Sequence, residues 1–523
     1  MKRNTSFHHF IILSFIVALC TTACRPESDQ LLSYGQNDNQ VYGAAKQSFE
    51  QQFISLWTAL NCNYCIWDYE LEHGLDWDEV YNTFLPKFKE LDEKQEVSDE
   101  ELTALYGEVL FPLHDGHIYI QVKNLSNGHF LSFSPSDNRN QSRPDCQFSM
   151  TFYPNLTAYS NIAGDCHIVD YKAASSNQAW IIKAVIDSAT VHINAKLDEL
   201  EQKESLTAED SVMVRYIDEF NKIVASFAGQ DMSTVCSKYS QMRSQYAMLG
   251  EMLGFEMPPV DNNLNNYELS LEYACFEPGI AYFHFSDFHL TPYFPPYSDS
   301  FLDMKNPTTQ VIQQGVYGVW QAWFDKIQQL KKANGLKGVI IDVRSNTGGY
   351  NNDFQFVLGA LLPSGGYSGH MERTKAGAGR YDFAPMTPFL FETFNEEHEV
   401  IADEPVVVLS NGFSVSMAEM TSICAKSIPN ARLIGMRTWG GMCSLSKSPA
   451  SYSETYSGCF GVENKTPFYA YIPKFVSVIP EVGILEGVGV TPDIEVEFDQ
   501  ALFNSTGRDS QLERAIQYIM TGN

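Results

Sequence analysis

The sequence has too few basic residues to favour a polyanionic partner. Its 523 residues include 35 Lys and Arg against 64 Asp and Glu, a formal net charge of -29 at pH 7. This surplus repels nucleic-acid phosphates and anionic lipid headgroups, and no local cluster of basic residues offsets it. Nucleic-acid binding and a polybasic membrane contact are therefore not expected. The 44% hydrophobic and 13% aromatic content is that of a globular protein, which excludes disorder as the main state.

The sequence also lacks a long apolar run. No segment after the N-terminus approaches about 18 uninterrupted apolar residues, the length that a transmembrane helix needs. The N-terminus itself has Lys2 and Arg3, an apolar stretch over 10–20 and then Thr21-Thr22-Ala23-Cys24, which is typical of an export signal. Small residues before a cysteine resemble the lipobox of bacterial lipoproteins, although Thr21 replaces the preferred Leu. We expect Cys24 to be lipidated and to anchor the protein in a bacterial cell envelope, with plain secretion as the alternative.

The eleven cysteines are compatible with disulfides in an exported protein. Cys443 and Cys459 flank one turn-rich segment, and Cys146 and Cys166 flank another. The close pair within 62–65 can bridge or stay reduced, and the sequence leaves the connectivity open. Zinc is the alternative for this pair, but no second Cys or His pair follows at finger spacing. No metal is therefore expected.

The hydrophobic pattern changes near residue 267. Before it, helical periods over 49–60, 77–91 and 178–227 predict helices, and the polar, aromatic stretch 125–175 favours a hairpin insertion. After it, short apolar strands alternate with helices, which predicts an α/β core with parallel strand pairing. The predicted segments are a signal peptide at 1–23, a flexible tether at 24–45, an N-terminal helical region at 46–124, an insertion of hairpin and helices at 125–265, the core at 266–505 and a C-terminal helix at 506–523.

One strand-to-helix turn of the core contains two adjacent glycines. A buried strand is predicted over 337–343, followed by a loop with Gly348 and Gly349 and a helix over 354–362. Glycines without Cβ atoms let the backbone turn tightly and bring an N–H group close to a ligand carbonyl. Such turns are where chemistry gathers in α/β folds.

A second strand-to-helix turn contains two serines. A strand over 405–409 is followed by Ser414, Ser416 and a helix over 417–427. A serine in the first turn of a helix lies beside backbone N–H groups that can stabilise an oxyanion. Taken alone, the pattern favours an ordinary N-cap at Ser414 or Ser416, with Glu419 completing a capping box.

Four motifs together resemble the C-terminal-processing (tail-specific) serine peptidases. They lie in that family's order over roughly residues 275–500, and segment 113–117 (LHDGH) adds a further likeness. The resemblance implies a crotonase-like or Clp-protease-like α/β spiral core. Many relatives carry a PDZ domain, but 125–265 has no convincing PDZ pattern, so none is expected. The motifs are 337–349 (KGVIIDVRSNTGG), 409–419 (LSNGFSVSMAE), 432–441 with Arg-Leu-Ile-Gly and Thr-Trp-Gly-Gly, and 485–493 (LEGVGVTPD).

The resemblance assigns the nucleophile to Ser416, three residues before Glu419. The serine-lysine branch of the family has its catalytic Lys at the position of Gly441, so that dyad lacks its base here. Lys426 and Lys447 are the nearest substitutes, but neither occupies the motif position.

The Thr-Trp-Gly-Gly form instead resembles the tricorn-like branch. Its pattern implies His117 as the base and Glu486 as the carboxylate that orients it. A neutral imidazole can accept the serine proton, and a carboxylate on its other nitrogen sets tautomer and orientation. His114 is an alternative base, and either His can simply pack. The tricorn pattern has a Ser before its His, where this chain has Gly116.

The resemblance also implies an oxyanion hole formed by the N–H groups of Gly349 (or Gly348) and Met417. Asp342 and Arg344 are expected to hold the glycine loop rather than react. No metal or organic cofactor is required.

We therefore expect a serine peptidase that cleaves exported or extracellular peptides or unfolded proteins through an acyl-enzyme. Long-range repulsion from the acidic chain should disfavour acidic substrates. Two alternatives from other classes stay open: a carrier of hydrophobic ligands on the same fold, and an inactive cell-surface lipoprotein that binds a glycan or a protein. The sequence leaves the oligomeric state open.

Overall fold

The structure of the protein is a computed structural model. The described residues are 45–136, 154–160, 166–227, 269–305, 307–363, 365–377, 379–390, 403–444 and 459–523, with positions 143, 146, 230, 238, 239, 242, 393, 398, 400 and 401. The predicted signal peptide, Cys24, the tether to residue 44 and the alternative base Lys447 lie outside them. Within the described part of the chain, no helix combines the length and apolar character needed to cross a membrane.

Helices occur along the whole described chain. Those before residue 120 confirm the predicted N-terminal helical region, and side chains cap several of their N-termini; Ser48 Oγ, for example, accepts the Gln51 N–H at 3.1 Å. The helices are α1 (Phe49–Asn63), α2 (Trp67–Glu72), α3 (Trp77–Asp92), α4 (Asp99–Leu110), α5 (Gln178–Glu201), α6 (Ala208–Ala225), α7 (Ser298–Phe301), α8 (Pro307–Lys332), α9 (Met417–Ser427), α10 (Gln500–Thr506) and α11 (Ser510–Thr521).

The described strands form three sheets. They are β1 (Tyr119–Lys123), β2 (Phe130–Phe133), β3 (Ile168–Ser175), β4 (Ser270–Phe276), β5 (Ile280–Phe285), β6 (Gly338–Asp342), β7 (Tyr367–Thr374), β8 (Thr387–Leu390), β9 (Val406–Ser410), β10 (Ala431–Gly435), β11 (Cys443–Ser444), β12 (Cys459–Phe460), β13 (Phe468–Tyr471), β14 (Phe475–Val478) and β15 (Ile494–Glu495).

The chain divides into two compact units, each assembled from separate stretches. The first contains the described residues of 1–148, 367–390 and 438–490, and the second those of 149–366, 391–437 and 491–523. This division differs from the linear one predicted from the sequence, because 438–490 folds with the N-terminal region. Antiparallel pairing of β1 with β13 provides the physical reason, since its backbone hydrogen bonds join positions more than 340 residues apart.

The first unit contains α1 to α4 and two antiparallel four-stranded sheets. One sheet has the order β12-β13-β1-β2 and the other β11-β14-β7-β8. A hydrophobic core joins the helices to the first of these sheets, and stacked Phe53 and Phe88 rings, 4.4 Å apart, lie within it.

The second unit is built on a seven-stranded mixed sheet of order β15-β10-β9-β6-β5-β4-β3. Strands β5, β6, β9, β10 and β15 pair in parallel with their neighbours in this order. Strand β4 pairs antiparallel with both β3 and β5. Strands β5, β6 and β9 are buried along their whole length, as expected for parallel strands covered on both faces. The predicted α/β core with parallel pairing is confirmed.

Two local predictions are wrong. The helix expected over 354–362 is replaced by 3-10 turns at Asn351–Phe356 and Gly359–Leu361. The Trp320 indole N–H donates to the Phe356 carbonyl at 2.6 Å and engages an acceptor that a continuing helix would use. Of the stretch 125–175, the two described strands also do not form the expected hairpin with each other, because β2 pairs with β1 and β3 with β4.

Candidate active site

The two loops singled out in the sequence are neighbours in the second unit. Strands β6 and β9 lie side by side and parallel, with Asp342 opposite Leu409. Their carboxyl ends therefore open at one edge of the sheet. There the glycine loop (343–349) follows β6 and the serine loop (411–416) follows β9.

Hydrogen bonds join these loops and occupy Ser414. The Ser414 hydroxyl donates to the Val343 carbonyl at 2.7 Å and accepts the Asn411 N–H at 3.0 Å. Val415 N–H donates to the Asn346 carbonyl at 2.9 Å. Ser414 is fully buried, so its hydroxyl links the loops and is not placed to attack a substrate.

Ser416 lies at the N-cap of α9 in an unusual backbone conformation. Its φ of 56° and ψ of -113° fall outside the regions that residues with a Cβ ordinarily adopt. Such a conformation costs roughly 1–3 kcal/mol and often marks functional residues. The Ser416 N–H donates to Glu419 Oε2 at 3.1 Å. The capping role foreseen from the sequence therefore coexists with a half-buried hydroxyl in a strained strand-to-helix turn, a device that presents nucleophilic serines.

The glycine loop approaches Ser416 more closely than any other residue type would allow. Gly348 has a φ of +88°, and a Cβ on it would lie 2.6 Å from the Ser416 Cβ and 2.9 Å from the Met417 nitrogen. Its N–H is already donated to Asn346 Oδ1 at 2.9 Å. The N–H groups of Gly349 and Met417 have no acceptor among the described residues. Of the two predicted glycines, Gly349 is therefore the candidate oxyanion donor.

A buried ion-pair network holds the start of the glycine loop in place. Arg344 contacts Asp342 at 2.5 Å and Asp509 at 2.7 Å, and the Tyr282 hydroxyl donates to Asp342 at 2.7 Å. Burial alone would raise the pKa of Asp342, but the adjacent Arg344 guanidinium holds it below its usual value. These contacts agree with the structural role expected for Asp342 and Arg344.

The predicted base and its carboxylate lie together in the first unit. One ring nitrogen of His117 and one carboxylate oxygen each of Glu486 and Asp115 lie within 4.8 Å of one another. The buried Glu486 carboxylate also accepts N–H groups from Gly116 at 2.8 Å, Met442 at 2.5 Å and Cys443 at 3.0 Å.

Asp115 is a site residue to which the sequence analysis gave no role. It is fully buried, and its Oδ1 accepts the backbone N–H of His117 at 2.6 Å. An Asp whose side chain bonds the N–H two residues later forms an Asx-turn. The Asp115-Gly116-His117 segment of the sequence contains the Asp two residues before the N–H donor that such a turn requires.

The alternative bases have other partners. His114 Nδ1 lies 2.7 Å from Glu70 Oε2, and the backbone N–H of His114 donates to Glu70 Oε1 at 2.9 Å. Glu70 is fully buried and also accepts the Tyr64 hydroxyl. Lys426 forms an ion pair with Asp493 at 2.5 Å.

Two rings, those of Trp439 and His117, lie beside Gly441, the position of the dyad lysine in the serine-lysine branch. A Cβ on Gly441 would lie 3.2 Å from His117 Cε1 and 2.9 Å from the Trp439 ring. Both distances are tighter than ordinary van der Waals contact, so a side chain here would have to displace one ring or the other. The absence of a side chain at Gly441 thus leaves room for both the Trp439 ring and the His117 ring.

Comparison with known proteins assigns most of these motifs to one family. The sequence model of peptidase family S41 matches residues 280–496. Residues 280–496 are a peptidase family S41 region. The S41 region contains Ser416, Gly348, Gly349, Met417 and Glu486, whereas His117 precedes it.

Two curated relatives share part of this chain. The tricorn protease of Thermoplasma volcanium is 26% identical over 183 residues, which are 35% of this chain and 15% of that protein. The carboxy-terminal-processing protease of Bartonella bacilliformis is 25% identical over 177 residues, which are 34% of this chain and 35% of that protein. This chain therefore matches about a seventh of the length of the tricorn protease and about a third of that of the carboxy-terminal-processing protease.

Two solved structures cover nearly the whole chain. A Parabacteroides merdae protein described as a candidate peptidase has a TM-score of 0.49 and 16% identity over 91% of this chain and 98% of its own. Mature CPAF has a TM-score of 0.44 and 12% identity over 92% of this chain and 98% of its own. Because both scores lie below 0.5, the α/β architecture rests on the described strands and helices.

The group of Asp115, His117 and Glu486 has the donor types of a metal site as well as of an acid–base pair. Both Glu486 oxygens already accept backbone N–H groups, and Asp115 Oδ1 accepts another. Such donors compete with a cation for the same lone pairs.

Proposed function

We propose that this protein is a serine peptidase of the tricorn-like branch. Ser416 is the nucleophile, His117 the general base and Glu486 the carboxylate that orients the imidazole. The observation that carries this choice over a serine-lysine dyad is the position of the His117 ring. It lies against Gly441, where the dyad lysine would start, and beside Glu486.

The reaction proceeds through an acyl-enzyme. His117 accepts the Ser416 proton as the serine oxygen attacks the scissile carbonyl, and Glu486 stabilises the imidazolium that results. The imidazolium then protonates the leaving amine, which departs and leaves an ester on Ser416. Water, deprotonated by the same imidazole, hydrolyses this ester and regenerates the serine.

The oxyanion of each tetrahedral intermediate is held by the N–H groups of Gly349 and Met417. Among the described residues neither N–H is consumed by the fold, and Met417 is the first residue of α9, where the helix dipole favours negative charge. Removal of one such donor typically costs about 10² to 10³ in kcat.

The substrates in this proposal are peptides or unfolded proteins outside the cytoplasm. The N-terminal signal pattern supports export, and in this proposal lipidation of Cys24 anchors the mature enzyme to the bacterial envelope. Incorporation of labelled palmitate into the full chain tests the anchor, and Cys24→Ala should abolish it. Persistent incorporation would contradict this part of the proposal.

Labelling with a fluorophosphonate, which reacts covalently with activated serines, tests the catalytic assignment. The wild-type chain should be labelled and Ser416→Ala should not. His117→Ala should slow labelling by about 10²- to 10⁴-fold, the usual contribution of a positioned base. His114→Ala is the matched control and should be labelled at a near-normal rate, provided that circular dichroism shows each variant to be folded.

Two outcomes would overturn the proposal. Undiminished labelling of Ser416→Ala would exclude this serine as the nucleophile. Absence of labelling in the folded wild type would favour a non-catalytic carrier of hydrophobic ligands or an envelope binding protein on the same fold.

A further inference from the structure

Two cysteines that the proposed mechanism does not use face each other in the first unit. The Sγ atoms of Cys65 and Cys443 lie 3.9 Å apart, although the two residues are separated by 378 positions. Both side chains are buried and both thiols are reduced in the structure. None of the three pairs discussed from the sequence joins these two residues.

The same strand holds both positions. The Cys65 thiol lies 3.4 Å from the carbonyl oxygen of Phe475 in β14, and Cys443 in β11 pairs with Val476 of β14. Arg373 in β7, the other neighbour of β14, donates to the Cys65 carbonyl at 2.8 Å. Both backbones are therefore anchored to one sheet, so the thiols meet through packing and not through a chance approach of mobile loops.

We propose that Cys65 and Cys443 form a disulfide when the protein meets an oxidant of the organic disulfide class. A disulfide needs an Sγ–Sγ distance of about 2.05 Å, so the sulfur atoms must approach by roughly 2 Å. Rotation about the two Cα–Cβ bonds is the side-chain movement that this approach requires.

The chemistry is two successive thiol–disulfide exchanges. One cysteine thiolate attacks the organic disulfide, forms a mixed disulfide and releases the first small thiol. The second cysteine thiolate then attacks the protein sulfur of this mixed disulfide and releases the second small thiol. The two cysteines lose two electrons and two protons, and the organic disulfide gains both.

The surroundings determine when this bond forms. Burial raises the pKa of the Cys65 thiol, and burial raises that of Cys443 well above its usual value, so little thiolate exists in the packed protein. Oxidation is therefore fastest while the chain folds and slow once the unit is packed. After it forms, the bond is shielded from reductants by the same burial.

The bond would also reinforce the proposed base. Cys443 donates its backbone N–H to Glu486 Oε2 at 3.0 Å, and Met442 donates to the same oxygen. Linking Cys443 to Cys65, which follows α1, restrains one of the donors that hold this carboxylate. This consequence rests on the proposed function, whereas the disulfide itself does not.

Peptide mapping tests the proposal without any activity measurement. The full chain is refolded in a glutathione buffer rich in the oxidised form, quenched with acid, alkylated and digested without reductant. Mass spectrometry should find a peptide pair linking Cys65 to Cys443, and dithiothreitol should separate it. Cys443→Ala should lose the pair, whereas Cys275→Ala, which removes another buried thiol, should keep it.

The stability of the two redox forms provides a second measurement. Closing so long a loop should raise the midpoint of thermal unfolding of the oxidised wild type by several degrees over the reduced protein. Cys443→Ala should show no such difference. The proposal would be overturned if Cys65 and Cys443 were both still alkylated as free thiols in the folded wild type after refolding in oxidised glutathione. A Cys62–Cys65 link would overturn it as well. Should Cys443→Ala fail to fold, the wild-type peptide map decides alone.

Discussion

At the scale of single residues, the position of the candidate nucleophile Ser416 depends on the absence of a side chain at Gly348. Ser416 adopts a φ of 56°, and the backbone of Gly348 fills the space beside it. Any larger residue at 348 would collide with the Ser416 Cβ and with the N–H that is proposed to bind the oxyanion. The geometry of the serine is thus determined by its neighbour as well as by its own turn.

Gly348→Ala should therefore reduce the rate of fluorophosphonate labelling by at least about 10²-fold, because its Cβ pushes Ser416 and Met417 from their positions. Gly365→Ala is the matched control. Gly365 also has a positive φ, of +76°, but a Cβ there meets nothing within 4 Å. Both variants bear the same kind of backbone strain, so an equal loss of labelling in both would show that the contact with Ser416 is unimportant.

At the scale of elements, a buried carboxylate ties the segment after β5 to the turn that follows the glycine loop. Asp353 accepts N–H groups from Leu290 at 2.6 Å and Thr291 at 2.8 Å, and the Thr291 hydroxyl at 2.5 Å. In the same segment, Phe288 donates its N–H to the Gly348 carbonyl at 2.7 Å. Asp353 thus helps to hold the strand of backbone that lines the candidate oxyanion donor.

The titration of Asp353 should make stability depend on pH. Burial, only partly offset by hydrogen bonds, raises the pKa of Asp353 to about 6. Its ordinary value in an unfolded chain is about 3.9. Between these values the folded protein binds more protons than the unfolded chain. This contribution to stability is therefore fully present below about pH 4 and is lost as the pH rises through about 6.

Asp353→Asn removes this titration. From pH 4 to pH 7, the free energy of unfolding of the wild type should fall relative to that of the variant by up to about 3 kcal/mol. Urea unfolding of both proteins at unit pH intervals measures the difference. A difference that does not change with pH would contradict the raised pKa.

At the scale of the molecule, one buried arginine links distant parts of the second unit. Arg344 follows β6, whereas Asp509 and Gln511 belong to the start of the C-terminal helix α11; Arg344 pairs with Asp509 at 2.7 Å and donates to Gln511 at 2.9 Å. The C-terminal helix is thereby joined to the base of the glycine loop.

Arg344→Ala should destabilise the second unit by about 3–5 kcal/mol, because Asp342 and Asp509 would be left buried without their cation. Arg508→Ala provides the control. Arg508 pairs with Glu513 at the surface, and exposed pairs typically contribute less than about 1 kcal/mol. Denaturant unfolding compares the two variants, and similar losses in both would mean that the buried network adds little.

Much of the second unit could be predicted from the sequence because its signals are local. Apolar runs predicted β6 and β9 within one residue at each end, and α9 was predicted with its observed bounds. The helix over 354–362 failed because a distant indole, Trp320, competes for a backbone carbonyl. Local periodicity contains no information about such a competitor.

By itself, the sequence determined the alternation of strands and helices, the S41 motifs and the residues that are chemically able to act as nucleophile, base and carboxylate. Only the tertiary structure decided that the Ser414 hydroxyl links two loops and that Gly348, not Gly349, donates its N–H to Asn346. It also brought the Cys65 and Cys443 thiols together. The physical reason is range. Backbone preference and hydrophobic period act over a few residues, whereas strand pairing joined segments hundreds of residues apart, such as β1 and β13.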